Sequence, residues 1–422
     1  LTIVWAKGGG GRLPLITLKA QIHADPQTEA ILKDAMFCAT KVYNGLLWHL
    51  RKEYEETGKV NISQKNLNRI LKELPRAKGY YSMSVQLTRD EVREAYKSFF
   101  ALKKKGLAQY KAPGFRRKSY LSPLKYVQSG FKVEGDKVTL SLGTRREDGV
   151  RQVSFCISHR PDVEYERVRE LSIAYDKVSG RIEARLVVEV KARENNGTGK
   201  AAVDLGETIL MACTFDDGTV MLYSGRLIKA VRRYWQKVRA KLKQNSRRWK
   251  QIAHREKKQV EHLLHMATSH FIAECVQRGV KEIAIGDLNG IRGSIDYGDR
   301  LNQRLHAWPY RKLINMLKYK GTLVGILVRD DIDEKSTSIT CHACGKVMPS
   351  NRRHRGLYVC SCGWKAQADV NSALNIYERV YQVSPVKGSS GRVARPAVVS
   401  FLLEWHGVVE PKRKHKFLRA SA

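Results

Sequence analysis

The sequence has no long hydrophobic run. Its longest apolar segments, such as residues 322–328, have the length of a β-strand, and the opening LTIVWAKGGGG is too short for a membrane span or for the hydrophobic part of a signal peptide. These absences argue against a membrane-spanning or secreted protein. We therefore expect a soluble, intracellular protein.

Acidic residues are scarce relative to basic ones. The 422 residues include 77 Lys and Arg against 41 Asp and Glu, which leaves a formal net charge of +36. Repulsion of this size has to be offset by a polyanion, so nucleic acid is the expected partner and an anionic membrane surface is the second choice. The apolar content is that of a globular protein, and the length suits two to four domains that mostly fold without a partner.

Half of the eight cysteines are isolated from one another in the sequence. They stand singly among apolar residues, which is typical of small buried thiols in a reducing compartment. These four are Cys38, Cys156, Cys213 and Cys275.

The other cysteines form one cluster. Cys341 and Cys344 make a C-x-x-C pair, and after fifteen residues Cys360 and Cys362 make a C-x-C pair. Two tight turns that each present two sulfurs predict a tetrahedral structural zinc (Zn²⁺) site. The second pair is shortened, so the nearby His342 and His354 remain possible substitute ligands. The loop between the pairs is basic, as in ribbons that touch nucleic acid or brace a neighbouring domain.

The hydrophobic pattern changes several times along the chain. One predicted strand, residues 15–22, precedes helical spacing up to about residue 110, and residues 127–190 form short alternating segments typical of an antiparallel sheet or small barrel. From residue 201, three strands joined by tight turns precede a long helical stretch. A strand, a helix, the strand 322–328, the cysteine cluster and a last helix follow. This order is that of the ribonuclease H-like fold.

Two acidic residues stand at informative points of this order. Asp204 interrupts the apolar first strand, where an unpaired charge is costly. Asp369 lies in the first turn of the last helix, where attraction to the helix dipole is the simpler explanation for an isolated aspartate. In a ribonuclease H-like fold, acids from the first strand, a later strand and the last helix converge. Such a set can bind two Mg²⁺ ions for phosphodiester hydrolysis.

The long helical stretch has one apolar stripe and a strongly basic remainder. Between Lys229 and Lys258 there are thirteen Lys or Arg and a single acid, Glu256. Such an excess favours a surface that follows phosphates, and Trp249 either stacks on a base or belongs to the core. We predict nucleic-acid contacts from Arg232, Arg233, Lys237, Arg247, Arg248 and Lys250.

Four segments resemble the motifs of a known family. AVDLGE, DLNGI, TSITCHACG and CGWKAQADVNSALNI are similar to the motifs of TnpB, the RNA-guided endonuclease of bacterial insertion sequences, and of the related compact type V CRISPR effectors. The detailed resemblance covers about residues 201–379. It implies a cytoplasmic prokaryotic protein with a RuvC-type nuclease domain and a guide RNA on its basic surfaces. It also implies a double-stranded DNA target, recognised by pairing after a short duplex motif is read by the protein.

With this resemblance, we expect a multidomain α+β protein. It combines a ribonuclease H-like (RuvC-type) nuclease domain that carries an inserted zinc ribbon with a small β-barrel that carries an inserted helical recognition domain. The expected segments are the first barrel strand in 1–22, the helical domain in 23–114, the rest of the barrel in 115–198, the nuclease domain in 199–335 and 365–380, the zinc ribbon in 336–364 and a basic tail in 381–422.

The resemblance assigns two catalytic acids and leaves the third position vacant. Asp204 matches the first catalytic aspartate and Asp369 the last, but the glutamate position falls on Gly286. Asp287 comes next, yet successive strand residues point to opposite faces. Glu334, just past the neighbouring strand, is the better candidate for the third metal ligand. An acidic turn in solvent is the simpler alternative, and the rival acids are Asp330, Asp331 and Asp333.

Two other function classes remain open at this point. The vacancy at Gly286 fits a nuclease-inactive, guide-directed DNA-binding protein that acts as a repressor, and metal-dependent cleavage would separate the two. A zinc-ribbon RNA-binding or ribosome-associated protein without a DNA target would explain the charge but not Asp204. Copurified RNA that directs binding to matching DNA would exclude it.

Overall fold

The computed structural model describes residues 3–4, 15–106, 109–159, 163–286, 308–333, 335–354, 356–385, 397–400 and 412–413. The chain divides into two compact units, one from residue 3 to 191 and the other from residue 192 onward. Among the described helices, none is long and apolar enough to cross a membrane.

The first unit is built on an eight-stranded antiparallel sheet. Its path is β3-β7-β8-β2-β6-β5-β4, with β1 paired to β2. The two end strands of this path are joined by only three residues, 128–130, so the sheet curls into a nearly closed barrel. The strands are β1 (Ile3–Val4), β2 (Leu15–His23), β3 (Leu124–Val127), β4 (Phe131–Glu134), β5 (Lys137–Ser141), β6 (Gln152–Ser158), β7 (Arg167–Asp176) and β8 (Arg181–Glu189).

Three helices are inserted between β2 and β3: α1 (Pro26–Thr57), α2 (Gln64–Glu73) and α3 (Ser82–Lys104). Asp25 caps α1 by accepting a hydrogen bond from the Thr28 N–H, and Pro26 occupies the first turn, where its missing N–H is harmless. Gly58 ends the helix with φ +68°, a left-handed conformation that glycine adopts without strain.

The expectation for the isolated cysteines is wrong at one position. Cys38, Cys213 and Cys275 are buried, but Cys156 is exposed. It lies on β6, where buried and exposed residues alternate strictly, and its parity places it on the outer face.

The second unit begins with an antiparallel meander, β9 (Gly199–Leu205), β10 (Ile209–Phe215) and β11 (Val220–Ser224). β12 (Val280–Gly286) pairs parallel to β9, and β13 (Leu327–Ile332) pairs parallel to β12, so the order β13-β12-β9-β10-β11 is ribonuclease H-like as predicted. The remaining elements are α4 (Arg226–Ala240), α5 (Arg247–Gln277), α6 (Tyr310–Leu323), β14 (Arg352–His354), β15 (Leu357–Val359), β16 (Lys365–Ala366), α7 (Ala368–Tyr381), β17 (Ala397–Ser400) and β18 (Lys412–Arg413).

The strand predicted over residues 322–328 is displaced toward the C-terminus. Leu323 still belongs to α6, and Gly325 turns the chain with φ +72° while the Ile326 N–H bonds to the Gly321 carbonyl at 2.8 Å. β13 therefore starts at Leu327. Apolar residues on both sides of a glycine turn look like one run in the sequence, and only the backbone bonds separate them.

Two further segments depart from the simplest interpretation of the sequence. The long basic stretch is a hairpin of two helices, broken where Asn245 has φ +63° and Ser246 caps α5 through the Trp249 N–H. In the C-terminal tail, residues 397–400 form a strand that extends the sheet beside β11.

Candidate nuclease centre, cysteine site and basic hairpin

Asp204 lies on the sheet face that α7 covers. Ala202, two residues earlier on β9, points to the same face and packs on Ile376 and Tyr377 of α7. Ala212 is directly opposite Asp204 on β10 and packs against the N-terminal half of α7. These alanines let the helix approach the sheet closely, and Asp204 is half-buried beneath its first turns.

Asp369 enters the same region from the first turn of α7. Its Oδ2 accepts a hydrogen bond from Gln367 Nε2 at 2.8 Å, and its Oδ1 accepts one from Arg352 Nη2 at 3.3 Å. Gln367 Oε1 caps the helix by accepting from the Val370 N–H at 2.8 Å. Gln367, not Asp369, therefore caps the helix, and the Asp369 carboxylate makes its hydrogen bonds with Gln367 and Arg352.

The environment of Asp369 pulls its protonation in two directions. Burial raises the pKa of this carboxyl above its usual value, while the hydrogen bond from Gln367 and the charge of Arg352 lower that pKa. The net effect is a raised pKa, because burial outweighs the opposing effects of Gln367 and Arg352.

Gly286 stands at the vacant position on the neighbouring strand. It is buried, it shares a face with Ala284, and Ile285 pairs with Val203, which places Gly286 level with Asp204. It offers no side chain to a metal. Asp287 and Glu334 both lie outside the described residues.

The rival acids on β13 and just after it have other partners or positions. Asp330 follows Arg329, which pairs with Ala284 on the face that α7 covers, so Asp330 lies on the other face. There it accepts from Lys318 Nζ at 2.6 Å and Arg311 Nη1 at 3.2 Å on α6. The side chain of Asp331 is 71% exposed. Asp333 Oδ1 accepts from the Lys335 N–H at 2.9 Å.

The segment after β13 is fastened along α7 by two buried asparagines. Asn371 Nδ2 donates to the Thr340 carbonyl at 2.7 Å, and Asn375 Nδ2 donates to the carbonyls of Thr340 and Thr337, both at 2.8 Å. The two asparagines are one helical turn apart. Asn371 Oδ1 also accepts from Trp364 Nε1 at 3.0 Å, so one side chain joins α7, this segment and the cysteine ribbon.

Arg379 continues this row one turn further along α7. Its guanidinium donates to the backbone carbonyls of Asp333 and Lys335, the second at 3.0 Å. The residues on both sides of Glu334 are therefore tied to the helix that carries Asp369.

The four clustered cysteines converge as predicted. Their sulfurs all lie within 4.8 Å of one another, with Cys341 to Cys362 at 3.6 Å and Cys344 to Cys360 at 3.7 Å. Sulfurs about 2.3 Å from a tetrahedral zinc ion are about 3.8 Å apart, so the thiols fit zinc. They are the one cluster of three or more metal-ligating side chains in the part of the chain that the structure describes.

Neither candidate histidine joins this cluster. His342 Nε2 lies 3.2 Å from Ser384 Oγ, its Nδ1 lies 3.2 Å from a Glu378 carboxylate oxygen, and its ring packs on Trp364. His354 is exposed, and its Nδ1 accepts from the Gly356 N–H at 3.3 Å.

The ribbon around the cysteines is part of the same core as α7. Cys341, Cys360 and Trp364 are buried with Ala368 and Leu374 in one cluster. The ribbon is thereby held against the helix, and its strand β14 carries Arg352 to Asp369.

The basic hairpin presents most of the predicted nucleic-acid residues to solvent. The exposed ones are Arg233, Lys237, Arg247, Arg248 and Lys250.

Arg232 differs from that group, since it is half-buried with its Nε 3.7 Å from Glu256 and its guanidinium over Trp308. Glu256 also binds Arg239 Nη2 at 2.5 Å. The single acid of the stretch therefore joins the two helices of the hairpin. Trp249 is half-buried beneath the Arg239 guanidinium.

Two residues at the site were missed by sequence reasoning. In the sequence Arg352 is one of several basic residues in a loop, and its contact with Asp369 depends on how the ribbon folds back over α7. Gln367 is adjacent to Asp369 in the sequence, but a glutamine before a helix is too common to signal a function.

The fold and site define a class of protein: a ribonuclease H-like, RuvC-type nuclease fold with a four-cysteine ribbon inserted before its last helix. Residues 184–292 match the family model "Probable transposase", and residues 310–376 match "Cas12f1-like, TNB domain". Over these two segments the chain is similar to these two families.

Three individual relatives show the extent of this similarity. The chain is 25% identical over 393 residues to TnpB-like protein ORF457 of Acidianus two-tailed virus, which covers 82% of each chain. It is 34% identical over 113 residues to the CRISPR-associated endodeoxyribonuclease Cas12f1 of Sulfoacidibacillus thermotolerans, which covers 26% of this chain and 25% of that relative. The fold resembles Cas12f1 in its solved complex with sgRNA and target DNA, with a TM-score of 0.54 and 14% identity over 86% of this chain and 98% of that one.

Proposed function

We propose that the protein is an RNA-guided DNA endonuclease. It binds a guide RNA, recognises a short duplex motif beside its target and cleaves double-stranded DNA by Mg²⁺-dependent phosphodiester hydrolysis. The observation that carries this proposal is the position of Asp204 on the sheet face that α7 covers and of Asp369 in the first turn of α7, in a chain similar to TnpB and Cas12f1-like proteins.

The donor set fits magnesium. Carboxylate oxygens are the ligands this cation prefers, and the half-buried Asp369 has only a partial counter-charge from Arg352. Asp204, Glu334 and Asp369 would hold two ions. Bound magnesium would supply charge stabilisation at the attacking and leaving oxygens of the phosphodiester.

The chain's own side chains prepare this site in defined ways. Gln367 orients the Asp369 carboxylate while its other amide atom is held by the helix cap, so the orientation is fixed by local structure. Arg352 brings a positive charge to the same carboxylate, and that charge is also placed to meet the phosphate of an incoming strand.

Two observations support Glu334 as the third acid. Gly286 provides no carboxylate at the usual place, and Arg379 holds the residues on either side of Glu334 against α7. Asp287 remains the alternative, and it requires the strand to end before its side chain alternates to the other face.

Guided cleavage by purified protein with its copurified RNA tests the proposal. We expect cutting of DNA matched to that RNA with Mg²⁺ and none with EDTA. Asp204→Asn, Glu334→Gln or Asp369→Asn should each reduce the rate by roughly 10³-fold or more while target binding persists, because metal-assisted stabilisation is worth several kcal/mol.

Asp287→Asn is the matched control for Glu334 and should reduce the rate far less. If Asp287→Asn abolishes cleavage and Glu334→Gln does not, Asp287 is the third acid and Glu334 is excluded. Protein that carries no RNA, or that ignores DNA matched to it, contradicts the guided function altogether.

A second candidate function is guide-directed DNA binding without cleavage. The observation that favours it is the vacant Gly286 position, since no third carboxylate joins Asp204 and Asp369 among the described residues. Guided binding with no cutting under Mg²⁺ or Mn²⁺ would establish this function in place of the nuclease.

A further inference from the structure

Exposed aromatic side chains of the first unit gather near the C-terminal half of α1 and the chain that follows α3. Trp48 on α1 is 53% exposed, and Phe115 in the loop after α3 is 48% exposed. Both rings are large apolar surfaces that water solvates poorly, and a folded chain normally buries them. We therefore expect a ligand to cover these two rings.

The loop that carries Phe115 is rigidly held. Asn44 Nδ2 donates to the Arg116 carbonyl and Asn44 Oδ1 accepts from the Arg116 N–H, both at 2.8 Å. Arg51 Nη2 donates to the Pro113 carbonyl at 3.0 Å. Phe115 lies between these two attachments, so its ring is presented outward by a fixed backbone.

Arg116 adds a third attachment beside Phe115. Its guanidinium lies 3.6 Å from the centroid of the Tyr43 ring and 2.6 Å from a Glu91 carboxylate oxygen. Arg116 is therefore paired inside the unit, so a ligand would have to be bound by other cations nearby.

Those other cations flank the two exposed rings. The Arg51 guanidinium lies 4.2 Å from the Phe115 ring centroid. Lys52 Nζ lies 5.7 Å from the Trp48 ring centroid and 3.8 Å from a carboxylate oxygen of the exposed Glu56. Arg117 and Lys118 follow Phe115 and are exposed, and residues 109–120 contain no acid. Aromatic faces beside cations match a strand of nucleic acid, whose bases stack while its phosphates pair with the charges.

We propose that these residues form a stacking platform for unpaired bases of a nucleic acid strand. The platform consists of Trp48, Arg51, Lys52, Phe115, Arg117 and Lys118. It lies on a different unit from the acids and the basic hairpin. The inference rests on the proposed nucleic-acid function but not on cleavage.

A second copy of the chain fits this surface less well than a polyanion. Each copy carries a net charge of +36, and Arg117 and Lys118 at the rim would face a partner of the same sign. A nucleic acid strand relieves that repulsion instead of adding to it.

The test separates base stacking from phosphate binding. Full-length protein stripped of RNA is titrated by fluorescence anisotropy with a 20-nucleotide oligothymidylate and with an abasic strand of equal length and charge. We expect the wild type to prefer the strand with bases by about tenfold or more, as one or two stacked bases supply. The double variant Trp48→Ala, Phe115→Ala should lose most of this preference while its affinity for the abasic strand stays unchanged.

Leu327→Ala is the control, because Leu327 is a large apolar side chain on β13 that is 56% exposed and lies outside both the platform and the basic hairpin. It should leave the preference intact. An unchanged preference in the double variant overturns the platform. If light scattering also shows that the double variant differs from the wild type in oligomeric state, the two rings contact a second copy of the chain instead of bases. If the wild type binds neither strand, the nucleic-acid function fails with it; if it binds both equally, only the platform fails.

Discussion

At the scale of single residues, Asp369 shows how neighbours decide what a carboxylate can do. An aspartate in a first helical turn is ordinarily accounted for by the helix dipole. Here Gln367 performs the capping, and Arg352 supplies the only positive charge that a described residue places on the Asp369 carboxylate by hydrogen bond. The carboxylate is thus oriented but only partly neutralised.

Removing Arg352 should therefore strengthen cation binding at this site. Arg352→Gln takes away a charge that competes with a divalent ion for Asp369, and we expect Mn²⁺ affinity without DNA to rise several-fold. Titration followed by electron paramagnetic resonance measures it. Arg353→Gln, the exposed neighbour on β14, is the control and should change the affinity little. Equal affinities for wild type and Arg352→Gln would show that the pair does not oppose metal binding.

At the scale of elements, the cysteine ribbon and α7 behave as one assembly. Trp364 and Cys360 share a buried cluster with Ala368, and Asn371 bonds to both the ribbon and the segment after β13. Loss of the ribbon's fold should therefore loosen the helix that carries Asp369, not only the ribbon itself.

Loss of two cysteines should remove the metal and destabilise this assembly. Cys341→Ser, Cys344→Ser leaves two sulfurs where four are needed, and structural zinc contributes on the order of 10 kcal/mol to such modules. We expect one equivalent of zinc by mass spectrometry in the wild type and none in the variant, with a lower unfolding temperature. Cys156→Ser, at an exposed thiol, should keep both. Full zinc content in the double variant would place the ligands elsewhere.

At the scale of the whole molecule, charge dominates. The formal charge of +36 is spread over both units, and the basic hairpin concentrates exposed cations on α4 and α5. Only some of those cations are available to a ligand, because Glu256 engages Arg232 and Arg239 inside the hairpin.

Binding to nucleic acid should accordingly depend steeply on salt. Six to ten phosphate contacts lower affinity by roughly 10³- to 10⁵-fold between about 50 and 200 mM salt. Arg247→Gln, Arg248→Gln should reduce the slope of log affinity against log salt by about two, since each lost contact removes about one. Arg232→Gln should change that slope less and lower the unfolding temperature instead. A flat slope for the wild type would contradict phosphate-dominated binding.

The sequence by itself determined the order of elements, the ribonuclease H-like class, the cysteine cluster, and the strand and helix that hold Asp204 and Asp369. Those features arise from hydrophobic periodicity and from ligand pairs a few residues apart, so they depend only on residues that are close together in the sequence. Only the tertiary structure decided the rest: the pairing of β13 with β12 turns Asp330 to α6, the ribbon brings Arg352 to Asp369, and Asn44 holds the loop of Phe115. Each of these contacts joins residues distant in the chain, so packing between elements had to place them.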